Sequence, residues 1–146
     1  RGREGALDGC SAAIFGSAAT GVWTPGSDLD ICLLAPGVTE RHARIRALRK
    51  VASVLRRAGA SHTVQPRLGA QMPILRWSPR RGGTDAVSCD ISVSNVLAVA
   101  NSRLIGQYMG IDEKLSVLVL CVKAWARRRG INDRSRGTFS SFSLTL

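Results

Sequence analysis

The feature that most constrains the fold is a change of hydrophobic period near residue 95. Before this point the apolar segments are short, and turns rich in Gly and Pro separate them, as is typical of strands. After it, apolar residues recur at helical spacing, with a break at Met109-Gly110 and a second helix that Asp112 opens and Gly130 closes. Strands followed by helices predict an α+β fold, a mixed sheet with flanking helices.

The individual elements follow from the same patterns. A long helix is predicted after Thr39, which can cap it, and it runs to about Arg57 before Gly59. Strands are predicted over residues 12–15, 29–34, 63–68, 72–77 and 86–93.

The charge balance predicts an anionic partner. The chain has 21 Lys and Arg against 10 Asp and Glu, a net charge of +11 over 146 residues. Its hydrophobic content of 45% excludes a disordered basic tail. Nucleic acid, nucleotide phosphates and an acidic membrane surface are the candidate partners, although no apolar run approaches the roughly 18 residues of a membrane span.

The termini and the cysteines lead to expectations about the completeness of the sequence and about its cellular compartment. The sequence starts at Arg1 and stops inside an apolar run at Leu146, so we expect a fragment of a longer protein. Cys32, Cys89 and Cys121 lie in apolar stretches without zinc-ligand spacing, which predicts free core thiols. We therefore expect an intracellular, reducing compartment, with cytoplasm and mitochondrion both open.

Three carboxylates stand out in a chain with few acids. Asp28 and Asp30 are two residues apart at the start of a predicted strand, so they share a face, and Asp90 lies within another apolar strand. Neighbouring carboxylates repel one another unless a cation holds them, and oxygen ligands suit Mg²⁺ or Mn²⁺. Two such ions about 3.5–4 Å apart can activate a hydroxyl and stabilise a leaving phosphate. Spacing alone leaves an alternative equally open, in which Asp28 is a turn residue and the other two pair with arginines.

A glycine-serine pair favours the metal interpretation. Gly16 and Ser17 follow the first predicted strand, where a glycine lets the backbone approach a phosphate and a serine hydroxyl can bind it. The loop over residues 16–27 is long enough to return the chain to the edge of the same site.

The motifs together resemble a known superfamily. Residues 15–21 (FGSAATG) and 27–31 (SDLDI) resemble the signature of the DNA polymerase β-like nucleotidyltransferases. Within it, the chain is similar to the template-independent RNA 3′-end group, the terminal uridylyltransferases and poly(A) polymerases, and its Arg- and Ala-rich composition is similar to that of trypanosomatid members. Residues 89–95 (CDISVSN), 118–132 (LVLCVKAWARRRGIN) and 137–142 (GTFSSF) are similar to the third-carboxylate segment, the first helix of the central domain and the base-stacking segment.

The resemblance implies a domain plan and a reaction. Residues 1–97 would form the catalytic palm, and residues 98–146 the first helices of a truncated helical domain. The implied reaction adds a nucleotide to an RNA 3′-hydroxyl with two Mg²⁺ or Mn²⁺ ions and releases pyrophosphate, without a membrane partner. UTP is favoured because the likeness to uridylyltransferases is greatest, and ATP is the alternative. A catalytically inactive RNA-binding paralogue and a small-molecule nucleotidyltransferase are the rivals, and protein partners stay open.

The resemblance also implies roles for individual residues. Asp28 and Asp30 would hold both metal ions, and Asp90 would hold the catalytic ion and help the 3′-hydroxyl lose its proton. The implied nucleotide-binding residues are Gly16, Ser17, Asn101, Ser102, Lys123, Arg127, Ser141 and Phe142. Asn101 could instead cap a helix, and Phe142, where the family usually has tyrosine, could instead be a core aromatic.

Lys123 has a separate physical argument. Residues 117–126 are apolar nearly all round, which predicts a buried helix, and a buried ammonium needs an anionic partner such as a triphosphate. A lysine that reaches solvent or pairs with a core acid is the alternative. Arg127 lies one turn further along, where the family usually has lysine.

The long predicted helix is strongly basic, and the basic stretch continues beyond it with Arg67, Arg76, Arg80 and Arg81. No acidic residue lies between Arg41 and Thr84 to balance it, so an RNA phosphate track is favoured over a merely solvated helix face. The RNA-binding candidates are Arg41, Arg44, Arg49, Arg56 and Arg57.

Overall fold

The computed structural model describes residues 9–58, 62–79, 87–133 and 136–145. The strands are β1 (Ser11–Phe15), β2 (Leu29–Leu34), β3 (His62–Arg67), β4 (Ile74–Pro79) and β5 (Cys89–Val93). The helices are α1 (Ser17–Thr20), α2 (Arg41–Ala58), α3 (Val96–Met109) and α4 (Glu113–Arg128). Strands and helices alternate up to α2, three strands follow in succession, and the last two elements are helices.

The strands form one mixed sheet in the order β1-β2-β5-β4-β3, which confirms the predicted fold class. β2 and β5 run parallel, and the other neighbouring pairs are antiparallel. The parallel pair requires the crossover through α2, β3 and β4 that separates these strands in sequence. Its register places Asp30 directly beside Asp90.

The hydrophobic core lies between α2 and one face of the sheet. Ala47, Leu48 and Val51 of α2 pack there against buried residues of the central strands, Leu75, Ile91 and Val93 among them. Because side chains alternate along a strand, residues between these core positions point to the opposite face. Asp30 and Asp90 are therefore on the face away from α2.

Helices α1 and α3 cover that opposite face beside β1 and β2, and α4 packs against α3. The predicted helix signals are confirmed where α4 begins and ends. The Asp112 carboxylate accepts a hydrogen bond from the backbone N–H of Lys114 at 2.8 Å, and Gly130 has φ 67° just after the helix. The predicted domain boundary after residue 97 falls inside α3.

Several predicted details were wrong. Strand β5 begins at Cys89, so residues 87–88 precede it, and residue 86 lies outside the described part. Helix α2 begins at Arg41, two residues beyond the predicted cap at Thr39.

The apolar composition of α4 predicted a helix buried on all sides, but the structure buries only part of it. Only one face, with Val119, Lys123 and Ala126, is buried, whereas Leu118 is 59% exposed and Cys121 is exposed as well. The helix contacts the rest of the described chain along that single face, so composition overstated its burial. Among the described residues, no helix is both long and apolar enough to cross a membrane.

Candidate active site

A cavity of about 840 Å³ opens on the sheet face that carries Asp30. It is lined by the end of β1, Gly16 and α1, the loop before β2 and the start of β2, and by α3, α4 and the segment after α4. It brings together ten of the eleven predicted catalytic and nucleotide-binding residues. They are Gly16, Ser17, Asp28, Asp30, Asn101, Ser102, Lys123, Arg127, Ser141 and Phe142.

Asp90, the eleventh, lies beside this cavity on the next strand. In the sheet register, Asp30 has Phe15 on one side and Asp90 on the other. Asp28 stands just before β2, where the backbone N–H of Leu29 donates to the carbonyl of Ser88 at 2.8 Å and holds the strand starts together. The three carboxylates thus lie at the start of two parallel strands, with Asp30 and Asp90 side by side in the register.

Arg76 is the cation that the carboxylates share. Its Nε donates to Asp90 Oδ1 at 2.7 Å and its Nη2 to Asp90 Oδ2 at 2.8 Å, which is a bidentate pair. Nη2 also forms an ion pair with Asp28 Oδ2. These bonds raise the pKa of Arg76 above its usual range. The arginine-pairing alternative is therefore correct for Asp90, and Asp28 is paired as well.

Of the three carboxylates, Asp30 has the least favourable environment for its negative charge. Burial, and then the negative charges of Asp90 and Asp28, raise its pKa to about 6. A carboxyl group in this environment binds a proton more tightly than one in solution. For the same reason, a nearby cation stabilises its ionised form more than it would in solution.

The residues fit a divalent metal site. Three carboxylates on adjoining strands supply hard oxygen ligands, and the guanidinium group of Arg76 already shows that a cation is held between two of them. In the described ranges, no three His, Cys, Asp or Glu side chains stand close enough together to hold a metal ion in their present positions. For all three carboxylates to hold one divalent ion, their side chains would have to move closer together.

Gly16 occupies a conformation that favours glycine and packs against the carboxylates. Its φ of 69° and ψ of −154° lie in a region that other residues almost never adopt. A methyl group there would also overlap the Asp30 carboxylate. The glycine therefore lets the backbone pass directly over Asp30, and Ser17 follows at the cavity wall.

Ser102 holds this glycine in place. Its buried hydroxyl accepts a hydrogen bond from the Gly16 N–H at 2.8 Å and donates to the carbonyl of Ala98 at 2.8 Å. The contacts in the structure show a positioning role that sequence reasoning missed. Asn101, the preceding residue, lies within α3 and lines the cavity, so it is not a helix cap.

Lys123 and Arg127 join α4 to the loop before β2. Lys123 is buried, and its Nζ donates to the carbonyl of Val22 at 2.7 Å; Arg127 donates to the carbonyl of Pro25 at 2.9 Å. Burial and the nearby charge of Arg127 lower the pKa of Lys123. In these contacts Lys123 bonds to a backbone carbonyl and not to an acid, and its role toward a triphosphate stays a prediction.

The segment after α4 closes another side of the cavity. Ser140 and Ser143 form a turn in which their hydroxyl oxygens are 2.7 Å apart, and Ser141 and Phe142 lie within it. Phe142 is 40% exposed and lines the cavity, so it is not a core aromatic. An exposed ring at a cavity wall can stack on a planar group.

The predicted RNA-binding arginines lie elsewhere. All are on α2, which covers the sheet face opposite the carboxylates. Arg41 donates to the carbonyl of Leu68 at 2.6 Å and Arg56 to that of Val64 at 3.4 Å, whereas Arg49 and Arg57 are exposed. The structure does not bring these residues to the cavity, and their RNA role stays a prediction.

The sequence interpretation grouped Arg76 with the basic stretch and so missed its place among the carboxylates. A signal was present, because Arg76 lies within an apolar strand and a half-buried charge needs a partner. The missing information was the register, which pairs Arg76 with Asp90.

Fold and site together define a nucleotidyltransferase palm. A family model described as "Poly(A) RNA polymerase, mitochondrial-like, central palm domain" matches residues 4–110. The chain belongs to this family, whose relatives include terminal uridylyltransferases and poly(A) RNA polymerases.

Two curated relatives illustrate the range. The chain is 32% identical to human terminal uridylyltransferase 7 over 140 residues, covering 94% of this chain and 9% of that protein. It is also 32% identical to the poly(A) RNA polymerase GLD2 of Xenopus tropicalis over 135 residues, covering 91% of this chain and 25% of that protein. The chain thus spans a quarter or less of the length of these relatives.

Solved structures agree with the fold. A structure of mtPAP in complex with UTP superposes with a TM-score of 0.80 at 28% identity, covering 95% of this chain and 32% of that one. The Cid1 poly(U) polymerase with Mg and 3′-dATP bound gives a TM-score of 0.76 at 28% identity, covering 93% and 40%.

Proposed function

We propose that this chain is the catalytic palm, with adjoining helices, of a template-independent RNA 3′-terminal nucleotidyltransferase. The observation that supports this most strongly is the composition of one cavity. Two carboxylates, a glycine-serine turn, a buried lysine and an exposed aromatic ring all line it, and a third carboxylate stands on the adjoining strand. These are the groups that joining a nucleoside triphosphate to a hydroxyl requires.

The carboxylates would hold two Mg²⁺ or Mn²⁺ ions, Asp28 and Asp30 both of them and Asp90 the catalytic one. When bound, such ions activate the RNA 3′-hydroxyl and neutralise charge on the leaving pyrophosphate. The protein supplies the positions. Asp30 and Asp90 are fixed by the sheet register, and the strained glycine turn is fixed by Ser102.

The nucleotide would lie between the turn and α4. Ser17 and Lys123 line the same cavity, and an ammonium has three donors, of which the Val22 carbonyl takes one. The remaining donors suit a triphosphate. The base would stack on Phe142, and Asn101 and Ser141 stand at the wall for polar contacts with the ribose or base.

UTP is the proposed nucleotide, with ATP as the alternative, and the acceptor is an RNA 3′ end. The motifs resemble those of uridylyltransferases most, and the relatives include terminal uridylyltransferase 7. ATP stays a candidate for two reasons. The matching family model describes a poly(A) RNA polymerase palm, and this chain is as identical to the poly(A) RNA polymerase GLD2 as to terminal uridylyltransferase 7.

The test is primer extension by the complete protein, with an RNA primer, Mg²⁺ or Mn²⁺, and each nucleoside triphosphate separately. We expect extension with UTP, and loss of extension in the Asp90→Asn variant. Asp112→Asn is the matched control, because Asp112 is an exposed helix cap and asparagine caps a helix about as well. Preference for ATP would overturn the uridylyl assignment, and extension with none of the four would favour the inactive RNA-binding paralogue.

A further inference from the structure

Arg76 stands where the strands bring positive and negative charge together on one sheet face. It lies on β4 and pairs in register with Asp90 on β5, whose other neighbour is Asp30 on β2. The side chains of Arg76 and Asp90 are 23% and 17% exposed, so water screens their interaction only partly.

The guanidinium group engages two carboxylates at once. Nε and Nη2 take up both oxygens of Asp90, and Nη2 reaches across to Asp28 as well. Three of the four oxygens of these two carboxylates therefore face one organic cation. A divalent ion bound by Asp28 and Asp90 would draw on the same carboxylates, and its positive charge would repel the guanidinium group, so it competes with Arg76.

The same contacts give Arg76 a use before any metal binds. Three carboxylates without a cation would repel one another and destabilise the ends of β2 and β5. An arginine side chain can neutralise this charge when no metal ion is bound, because it is long, is part of the chain and keeps its positive charge at all ordinary pH values.

We propose that Arg76 is a positioning residue that holds Asp28 and Asp90 in the metal-free site and releases at least one of them when a divalent ion binds. This rests on the metal site of the proposed function. The residue thereby sets the metal concentration at which the site fills: it stabilises the metal-free fold and weakens apparent metal affinity.

The test measures Mn²⁺ binding to the complete protein by electron paramagnetic resonance of the free ion. Because charged hydrogen bonds are lost on release, we expect Arg76→Gln to lower the apparent Kd for Mn²⁺ about tenfold or more. Arg76→Lys keeps the positive charge but loses the planar guanidinium donors, so its apparent Kd for Mn²⁺ should lie between those of wild type and Arg76→Gln. Arg67→Gln is the matched control, because it removes an exposed charge from the neighbouring strand β3 and should leave the Kd unchanged.

Thermal unfolding supplies a second readout that does not depend on enzymatic activity. In EDTA, Arg76→Gln should unfold at a lower temperature than wild type, and saturating Mn²⁺ should remove most of that difference. Circular dichroism checks that each variant is folded. If Arg76→Gln does not fold, Arg76→Lys still tests the proposal.

The outcomes separate this proposal from the function on which it rests. Equal or weaker Mn²⁺ binding by both Arg76 variants, with wild type still binding, overturns the role of Arg76 and leaves the metal site intact. Weaker binding of the RNA primer at unchanged Mn²⁺ affinity makes Arg76 an RNA contact and likewise overturns it. Absence of Mn²⁺ binding by wild type overturns the metal site itself.

Discussion

Replacing Asp30 with asparagine should stabilise the metal-free protein while abolishing its activity. Burial and two neighbouring carboxylates raise the pKa of Asp30 from 3.8 to about 6, so its ionised form opposes folding. Asparagine has the shape of the protonated acid and carries no charge. The Asp30→Asn variant therefore keeps the packing and removes the repulsion, but it loses a proposed metal ligand.

The magnitude follows from the shift. A change from 3.8 to about 6 corresponds to about 3 kcal/mol at pH values above 6 for a fully buried group. Asp30 is only half-buried, so solvent screening reduces this to about 1–2 kcal/mol. The sign is fixed by linkage. The folded state binds the proton more tightly, so wild-type stability falls as pH rises from about 4 to 6 and then levels off.

The assay is thermal unfolding of both proteins in EDTA across this pH range. Asp30→Asn should unfold at a higher temperature near pH 8, and the advantage should shrink as pH falls from about 6 toward 4. Asp112→Asn, the exposed helix cap, removes an equal charge and should show no such advantage. A variant that is less stable than wild type near pH 8, or an advantage that does not vary with pH, would refute the reasoning.

Three further outcomes test other parts of the site. Gly16→Ala should abolish primer extension because a methyl group overlaps the Asp30 carboxylate, whereas Gly21→Ala, also at positive φ but with open space around it, should retain it with a modest loss of thermal stability. Lys123→Met should raise the KM for the nucleoside triphosphate about tenfold or more in steady-state extension, and Lys114→Met, at an exposed position of the same helix, should not. If the α2 track binds RNA, Arg49→Gln should weaken RNA binding and reduce its salt dependence by about one phosphate contact, measured by fluorescence anisotropy at several salt concentrations; unchanged binding contradicts the track.

Local sequence patterns could predict that Asp28 and Asp30 lie on one face because that geometry is local. The two-residue spacing of Asp28 and Asp30 determines that they share a face, and strand β2 has the predicted bounds. Asp90 was predicted from its apolar strand alone. The parallel register that sets it beside Asp30 depends on contacts distant in sequence, so the pattern could not supply it.

Long-range contacts explain what the sequence did not reveal. Arg76 looked like one member of a basic stretch, and only strand pairing shows that it faces Asp90. Ser102 looked like a nucleotide contact, but its hydroxyl holds the Gly16 backbone from 86 residues away. Cys121 was predicted to be buried because its neighbours are apolar, yet it lies on the exposed face of α4. In each case the residue type was informative and the partner was not encoded nearby.

These contacts bear on where the palm ends. A palm that stopped at residue 97 would keep all three carboxylates, but it would lose the rest of α3 and with it the Ser102 hydroxyl that fixes Gly16. Without that bond, nothing in the described contacts replaces the partner of the Gly16 N–H, and the glycine turn over Asp30 loses its anchor. The matching family model extends to residue 110, at the turn between α3 and α4. A boundary at that turn would keep the Ser102–Gly16 bond within one unit, whereas the predicted boundary after residue 97, which stays a prediction, would divide α3. With that boundary the cavity would lie between two units: the sheet and the loop before β2 carry the proposed metal ligands, α3 carries Ser102, and α4 carries Lys123 and Arg127, which bond to the loop before β2.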